Sequence, residues 1–185
     1  MADSEVGPRI RKIPPGDERE RLVCPDCGYV RYDNPKVVVG SVVSFGDRIL
    51  LCRRAIPPSL GRWTLPAGYL ELGETPEEGA LREAWEEARA LLRLEGLLAV
   101  YTLKHIGQVQ LFYRATLRDE AFEAGPESLD VKLFRWDEIP WDDLAFPTVH
   151  WALEAYARHR DHDVWLPESN HRDETAPSGR LKNPR

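Results

Sequence analysis

The chain has few of the features that mark secreted, membrane or repeat proteins. It contains three cysteines in 185 residues, no apolar run of membrane-spanning length, no N-terminal segment typical of a secretory signal and no internal repeat. Few cysteines without a signal are typical of a reducing compartment. A chain of this length can bury a substantial core. We therefore expect a cytoplasmic protein with one main domain and no membrane partner.

The chain also has no excess of basic residues. The formal net charge is −6, which argues against a nucleic-acid backbone as the main partner. The acidic balance does not oppose a small nucleotide substrate, because a bound metal ion reverses the local sign of the charge.

The most informative segment is residues 68–87, a glycine-rich loop followed by a predicted helix. Thr75 is suited to the N-cap, Pro76 to the first helical position, and Glu78 completes a capping box with Thr75. The residues that follow are mostly good helix formers. The sequence therefore predicts a helix that begins immediately after Thr75.

Several carboxylates must share one face of this helix. Glu83 and Glu87 are four residues apart and lie one turn above the other. Like charges at this spacing repel unless a cation lies among them, and Mg²⁺ or Mn²⁺ prefers oxygen ligands and shares its coordination with substrate phosphates. The alternative is a solvated acidic face of a surface helix. The glycine-rich entry loop and the order of residues favour a divalent-metal site that acts on phosphates.

The same segment resembles the Nudix box of the Nudix hydrolases. That pattern is Gly, five residues, Glu, seven residues, Arg-Glu, an aliphatic residue, any residue, Glu-Glu, any residue, Gly and an aliphatic residue. The matching residues are Gly68, Glu74, Arg82, Glu83, Glu86 and Glu87. Arg89 stands where the pattern has glycine. Either Arg89 ends the helix with a positive φ, at a cost of about 1 kcal/mol, or the helix continues through residues 90–92.

The resemblance implies a role for each box residue. Glu83 and Glu87 would be the principal metal ligands, and Glu86 a further ligand or a water-bridged partner. The backbone carbonyl of Ala67 would complete the set. Arg82 would join the catalytic residues by forming an ion pair with Glu74 that keeps the loop and the helix in register, without touching the substrate.

A base for the attacking water is expected outside the box, on a later loop. Glu127 is the candidate, because residues 125–128 form a constrained turn before a strand. An ordinary surface carboxylate is an equal alternative for Glu127. Asp130, Glu123, Glu83 and activation by the metal alone also stay open.

Hydrophobic patterns place the remaining elements. They predict strands at residues 37–45, 49–53, 97–103, 109–117 and 131–136, and a closing helix at 147–158. This order implies an α/β protein, and the resemblance implies the Nudix fold, an α/β/α sandwich around a mixed sheet. We expect an N-terminal extension with an incomplete zinc-ribbon-like element (1–35), the Nudix domain (36–160) and a loose polar C-terminal tail (161–185).

The likeness extends over residues 21–156 to a Nudix subgroup that carries a zinc ribbon at its N-terminus. A ribbon needs four zinc ligands, and only Cys24 and Cys27 are present, since Cys52 is expected to be a buried core thiol. Zinc is therefore doubtful. Either the zinc ion is lost, or its ligand set is completed by a histidine, by a second chain or by a cysteine pair upstream of Met1. A redox role for the two thiols is a further alternative.

Members of the subgroup imply the reaction. They cleave FAD or ADP-ribose at the pyrophosphate bond and release AMP, and related pyrophosphatases form homodimers. The alternatives are an NADH pyrophosphatase, a nucleoside triphosphate pyrophosphohydrolase, a Nudix module that senses nucleotides without turnover, and an interaction protein built on the ribbon. Tyr69, Tyr101 and Arg53 are candidates for a platform under the base or flavin ring.

Overall fold

The computed structural model describes residues 6–170. The chain divides into two compact units, Met1–Pro35 and Lys36–Arg185. In residues 6–170, no helix is both long enough and apolar enough to cross a membrane.

The N-terminal unit is a three-stranded antiparallel sheet. Its strands are β1 (Ile10–Lys12), β2 (Arg21–Val23) and β3 (Val30–Arg31). Cys24 and Cys27 lie in the turn between β2 and β3. The Gly28 N–H closes this turn by donating to the Cys24 carbonyl oxygen at 2.9 Å.

The second unit is an eight-stranded mixed sheet with two helices. Its elements are β4 (Lys36–Phe45), β5 (Arg48–Arg54), β6 (Trp63–Thr64), β7 (Ala67–Tyr69), α1 (Pro76–Ala88), β8 (Leu92–Leu103), β9 (Gln108–Leu117), β10 (Ser128–Arg135), α2 (Pro147–His159) and β11 (Glu168–Ser169). The strand order is β10-β5-β4-β9-β8-β11, with β6 paired to β5 and β7 to β4. Strands β4 and β9 are parallel and the β4–β5 hairpin is antiparallel, so the predicted mixed sheet is confirmed.

The two helices cover opposite faces of the sheet. Successive residues of a strand point to opposite faces. Val42 packs in the same core cluster as Val149 of α2, while Val43 packs in the cluster that contains Ala84 of α1. The α/β/α sandwich that the resemblance implied is therefore confirmed, and the valine-rich composition of β4 follows from burial on both faces.

Strand β8 begins at Leu92, five residues before the predicted start at 97. Its register against β9 shifts between Leu94 and Gly96 and again between Leu97 and Ala99. Each irregularity reverses which side chains face the core. The alternation that marks a strand in the sequence is therefore broken in the first half of β8.

The segment after α2 differs from the loose tail that was predicted. Strand β11 pairs in parallel with β8. The Trp165 indole N–H donates to the Leu97 carbonyl oxygen at 2.9 Å, and the Asn170 side chain bonds both backbone groups of Thr102. The prediction was wrong up to Asn170, because strand pairing by β11 and side-chain hydrogen bonds from Trp165 and Asn170 attach this segment to the edge of β8. Residues 171–185 lie outside the described part of the chain.

Candidate active site

Helix α1 begins and ends as its local sequence requires. The Thr75 hydroxyl accepts a hydrogen bond from the Glu78 N–H, and the Glu78 carboxylate accepts one from the Thr75 N–H, which confirms the predicted capping box. The helix ends at Ala88, and Arg89 adopts a left-handed φ of 51°. Arg89 therefore takes the conformation that the box pattern reserves for glycine. Its guanidinium also bonds the Trp85 carbonyl oxygen at 3.3 Å.

The guanidinium of Arg82 joins the loop to the helix with all its donors. Nε and Nη2 donate to the two carboxylate oxygens of Glu74 at 2.9 and 2.7 Å, and Nη2 also donates to the Tyr69 carbonyl oxygen. Nη1 donates to Glu83 at 2.7 Å and to Glu86 at 3.0 Å. These contacts engage the five N–H groups of an arginine. The predicted Arg82–Glu74 ion pair is confirmed, and it holds the pKa of Glu74 at about 2.

Gly68 and Glu83 approach each other so closely that a side chain at position 68 would displace the Glu83 carboxylate. A Cβ atom on Gly68 would overlap the Glu83 carboxylate. Glu83 is only 8 % exposed, and this burial raises its pKa while Arg82 acts in the opposite direction. The first glycine of the box pattern is therefore explained by a close approach between the loop backbone and a carboxylate on α1.

Glu87 is the most deeply buried carboxylate of the site. It is 6 % exposed and accepts one hydrogen bond, from the Ala67 N–H at 3.1 Å. Burial raises its pKa to about 8, the Ala67 hydrogen bond opposes that rise, and the charges of Glu83 and Glu127 add to it. The structure thus places the Ala67 N–H against Glu87 and leaves the negative charge of Glu87 poorly compensated.

The loop before β10 is attached to the C-terminal end of α1. The N–H of Gly125 donates to the Glu87 carbonyl oxygen at 3.0 Å, and Ala55 donates to the Glu127 carbonyl oxygen at 2.8 Å. The charge of Glu127 raises the pKa of both Glu83 and Glu87. Among the candidate bases outside the box, Glu127 is therefore the carboxylate whose charge reaches both metal-ligand candidates.

The other two candidate bases outside the box, Asp130 and Glu123, have different surroundings. Asp130 forms an ion pair with Lys132 at 2.9 Å. Glu123 is exposed, and its N–H donates to the Ala88 carbonyl oxygen.

Arg54, at the end of β5, is a site residue that sequence reasoning missed. Its positive charge lowers the pKa of Glu87. Its Nε donates to the Pro58 carbonyl oxygen at 2.8 Å, and its guanidinium lies 5.2 Å from the ring centre of Phe146. The only sequence signal was a pair of arginines at the end of a strand, which is too common to single out. Arg53 instead donates to the Gly61 carbonyl oxygen.

The two tyrosines proposed as aromatic platforms differ in their exposure to solvent. Tyr101 is 1 % exposed and packs edge-on against Trp151 under α2, so its candidacy was wrong. Its position in an alternating strand could not reveal which helix would cover it. Tyr69 is 50 % exposed, directly follows the Gly68 loop, and has the Lys36 ammonium 5.0 Å from its ring centre. Of the two tyrosines, only Tyr69 can receive a planar ring.

This geometry agrees with the comparison to known families. Residues 34–158 match the family model described as NUDIX domain. The chain belongs to the Nudix hydrolase family. Residues 7–33 match a second model of the same family, a zinc-ribbon model described as Nudix N-terminal.

Individual Nudix relatives agree with this assignment. A crystal structure of a NUDIX hydrolase from Nitrosomonas europaea is 44% identical, has a TM-score of 0.83 and covers 92% of this chain and 98% of that one. An ADP-ribose pyrophosphatase of Methanocaldococcus jannaschii is 38% identical over 124 residues, which are 64% of this chain and 71% of that protein. A MutT-like protein of Streptomyces ambofaciens is 38% identical over 102 residues, 55% of this chain and 64% of that protein.

The Nudix site offers oxygen donor atoms that suit a hard divalent cation. Its candidate ligands are carboxylate and carbonyl oxygens. Burial raises the pKa of Glu87, and a nearby positive charge favours the ionised form of a carboxylate. Within residues 6–170, no three acidic, histidine or cysteine side chains are already gathered to hold a metal. Nη1 of Arg82 pairs instead with both Glu83 and Glu86.

Proposed function

We propose that this Nudix hydrolase cleaves the pyrophosphate bond of a nucleoside diphosphate linked to another moiety, ADP-ribose or FAD, and releases AMP. The observation that carries the proposal is the pair of buried carboxylates, Glu83 and Glu87, set against the Gly68 loop. Two buried acids on one helical face are costly unless a cation neutralises them. A site that needs a cation and opens beside an exposed aromatic ring suits a nucleotide with a charged anhydride.

The metal ligands we assign are Ala67, through its carbonyl oxygen, and Glu83, Glu86 and Glu87. When bound, Mg²⁺ or Mn²⁺ neutralises the charge of the pyrophosphate and polarises a phosphoryl oxygen. Arg82 acts by positioning, because its five N–H groups are engaged within the loop and helix. For Glu86, ligation requires the carboxylate to leave Nη1 of Arg82.

Three further residues, Glu127, Arg54 and Tyr69, have roles toward the water or the substrate. Glu127 would orient the attacking water and take its proton, since a base must lie within hydrogen-bond reach of that water. Arg54 would donate to a phosphoryl oxygen, because its Nε and its ring contact already hold the guanidinium plane in place. Tyr69 would stack against the planar ring of the substrate.

ADP-ribose is the first substrate to test. The M. jannaschii relative that is 38% identical carries the name ADP-ribose pyrophosphatase, which supports ADP-ribose more directly than FAD. Hydrolysis of ADP-ribose would release AMP and ribose 5-phosphate, and hydrolysis of FAD would release AMP and FMN. Nucleoside triphosphates stay in the comparison, because the Nudix box by itself does not select a substrate.

The deciding experiment measures turnover of ADP-ribose, FAD, NADH and nucleoside triphosphates with Mg²⁺, with Mn²⁺ and with EDTA, and identifies the products. We expect AMP from ADP-ribose or FAD with either metal and no turnover in EDTA. Preference for a triphosphate, or metal-independent turnover, would contradict the proposal. Tight binding of ADP-ribose without turnover would instead indicate a sensing module. Light scattering in the same buffer tests the predicted homodimer.

A further inference from the structure

The N-terminal unit belongs to a zinc-ribbon family but lacks a zinc ligand set. Four ligands close a structural zinc site, and residues 1–35 contain two cysteines and no histidine. Cys52, the third cysteine, lies in the other unit. It is 1 % exposed, and burial raises the pKa of its thiol well above the usual value. The residues present therefore do not fit a closed zinc site.

An ion pair connects the two segments that a ribbon metal would join. Arg9, just before β1, donates to both carboxylate oxygens of Asp26 at 2.8 and 3.2 Å, and Asp26 lies in the turn between Cys24 and Cys27. The same guanidinium donates to the Gly7 carbonyl oxygen at 3.2 Å. A bidentate arginine–carboxylate pair is the strongest form of surface ion pair. The segment before β1 is thus tied to the cysteine turn without a metal.

A second ion pair stabilises the loop between β1 and β2. Arg21 donates to Asp17 at 2.9 Å. The other carboxylate oxygen of Asp17 accepts hydrogen bonds from the N–H groups of Glu18 and Arg19. Both loops of the three-stranded sheet therefore have protein-only connections.

The two thiols remain close together in a tight turn. The turn is closed by hydrogen bonds from Gly28 N–H to the Cys24 carbonyl oxygen and from Cys24 N–H to the Tyr29 carbonyl oxygen. Cys27 is exposed and Cys24 is 5 % exposed. Hydrogen bonds from the backbone N–H groups of Cys27 and Asp26, and from the Cys27 thiol, lower the pKa of Cys24. Burial and the charge of Asp26 act in the opposite direction. One thiol is accessible to solvent, and the other is buried beside it and donates to the Asp26 carboxylate at 3.8 Å.

We propose that Cys24 and Cys27 are a dithiol site that closes reversibly to a disulfide, in a ribbon that has lost its need for zinc. The oxidant is a small disulfide such as glutathione disulfide. The exposed Cys27 thiolate attacks one sulfur of that disulfide, forms a mixed disulfide and releases one thiolate. The Cys24 thiolate then attacks the Cys27 sulfur, forms the Cys24–Cys27 bond and releases the second thiolate. Two protein thiols are oxidised and one small disulfide is reduced to two thiols.

The first experiment measures zinc in the purified full-length protein and hydrogen exchange of residues 6–35 with and without EDTA. We expect far less than stoichiometric zinc and identical exchange. Arg9→Ala should speed exchange in this unit, whereas Arg11→Ala, on exposed β1, serves as the matched control. One zinc per chain, or one shared by two chains, together with EDTA-induced unfolding of residues 6–35, would overturn the proposal.

The second experiment treats the full chain with glutathione disulfide and follows intact mass. The wild-type chain should lose two hydrogen atoms in mass and recover them with dithiothreitol, and Cys52→Ser should do the same. Cys24→Ser should stop at a stable glutathione adduct on Cys27, because the resolving thiol is missing. The wild-type result alone decides if a variant fails to fold. Persistent reduced thiols, or a stable adduct on the wild-type chain, would refute the dithiol site.

Discussion

The backbone carbonyl of Glu86 lies so close to Gly125 that a Cβ atom at position 125 would overlap the carbonyl oxygen. The contact joins the end of the box helix to the loop that carries Glu127. The position of the candidate base therefore depends on a glycine two residues before it.

Replacing Gly125 tests this relationship. Gly125→Ala must displace the loop from α1 and move Glu127 away from the metal-ligand candidates. A displacement of about 1 Å at a catalytic group costs about 100-fold in rate, so we expect a fall of that size in kcat/KM, measured with ADP-ribose and Mg²⁺. Ala124→Ser, at the exposed neighbouring position, should leave activity unchanged. Full activity of Gly125→Ala would exclude a catalytic role for the loop.

Glu87→Gln should abolish most turnover and preserve the fold. The amide keeps the shape and the Ala67 contact but removes the charge that holds the metal. Loss of an electrostatic catalytic group costs about 10² to 10³ in kcat, and the effect should persist at saturating Mg²⁺. Glu71→Gln, which changes an exposed carboxylate of the same loop, is the control. A folded Glu87→Gln protein with normal turnover would refute the assignment.

Stability of the metal-free protein should fall as the pH rises. The pKa of Glu87 is raised from 4.5 to about 8 in the folded state, so the folded chain binds more protons than the unfolded chain between these values. The stabilising contribution is complete below about pH 4.5 and is lost as the pH rises through about 8. Over that window the loss is on the order of a few kcal/mol.

Urea unfolding in EDTA from pH 5 to 8.5 measures this slope. Glu87→Gln should flatten it, and Mg²⁺ should restore stability to the wild-type chain at the high-pH end, because a cation favours the ionised carboxylate. An identical slope in the wild type and in Glu87→Gln would show that Glu87 is not the responsible group.

Arg82→Lys should destabilise the loop–helix junction. A lysine ammonium has three donors and no planar fork, so it cannot serve all five acceptor atoms that Arg82 contacts in Glu74, Glu83, Glu86 and Tyr69. Leaving such acceptors unsatisfied costs about 1 to 3 kcal/mol in the free energy of unfolding, measurable by denaturant titration. Arg93→Lys, whose side chain is 71% exposed, is the matched control and should change stability little. Equal effects of the two substitutions would argue against the five-contact role.

Arg54→Ala should raise KM for ADP-ribose more than it lowers kcat, because a phosphate contact present before and during reaction contributes to binding in both states. The expected change is about tenfold, which corresponds to one charge-assisted hydrogen bond. Steady-state kinetics of Arg54→Ala and Arg53→Ala separate the two arginines. An unchanged KM for Arg54→Ala would remove it from the substrate site.

Short-range chemistry made much of this site predictable. The capping box at Thr75, the start of α1, and the common face of Glu83 and Glu87 all follow from residues within a few positions of each other. The Arg82–Glu74 pair was predictable only through the resemblance, because eight positions separate the two residues and a loop intervenes.

Other features depend on contacts between distant segments, which local periodicity does not contain. The bulges of β8 break the alternation of apolar and polar residues in half of that strand, so the sequence does not reveal it. The edge of the same strand binds residues 165–170, whose sequence in isolation does not predict a structure. Arg54 in β5 and Glu127 in the loop before β10 act electrostatically on Glu87. Helix α2 covers Tyr101 and makes it inaccessible to a substrate ring.

The amino-acid sequence by itself determined which side chains can act together on α1, because helical geometry follows from the chain's own spacing. Tertiary structure decided how strongly they act. Burial of Glu87 against β7, and the approach of Glu127 and Arg54, set the electrostatics of the site. Desolvation and charge interactions depend on what surrounds a group in space, and that environment is created only when distant segments pack together.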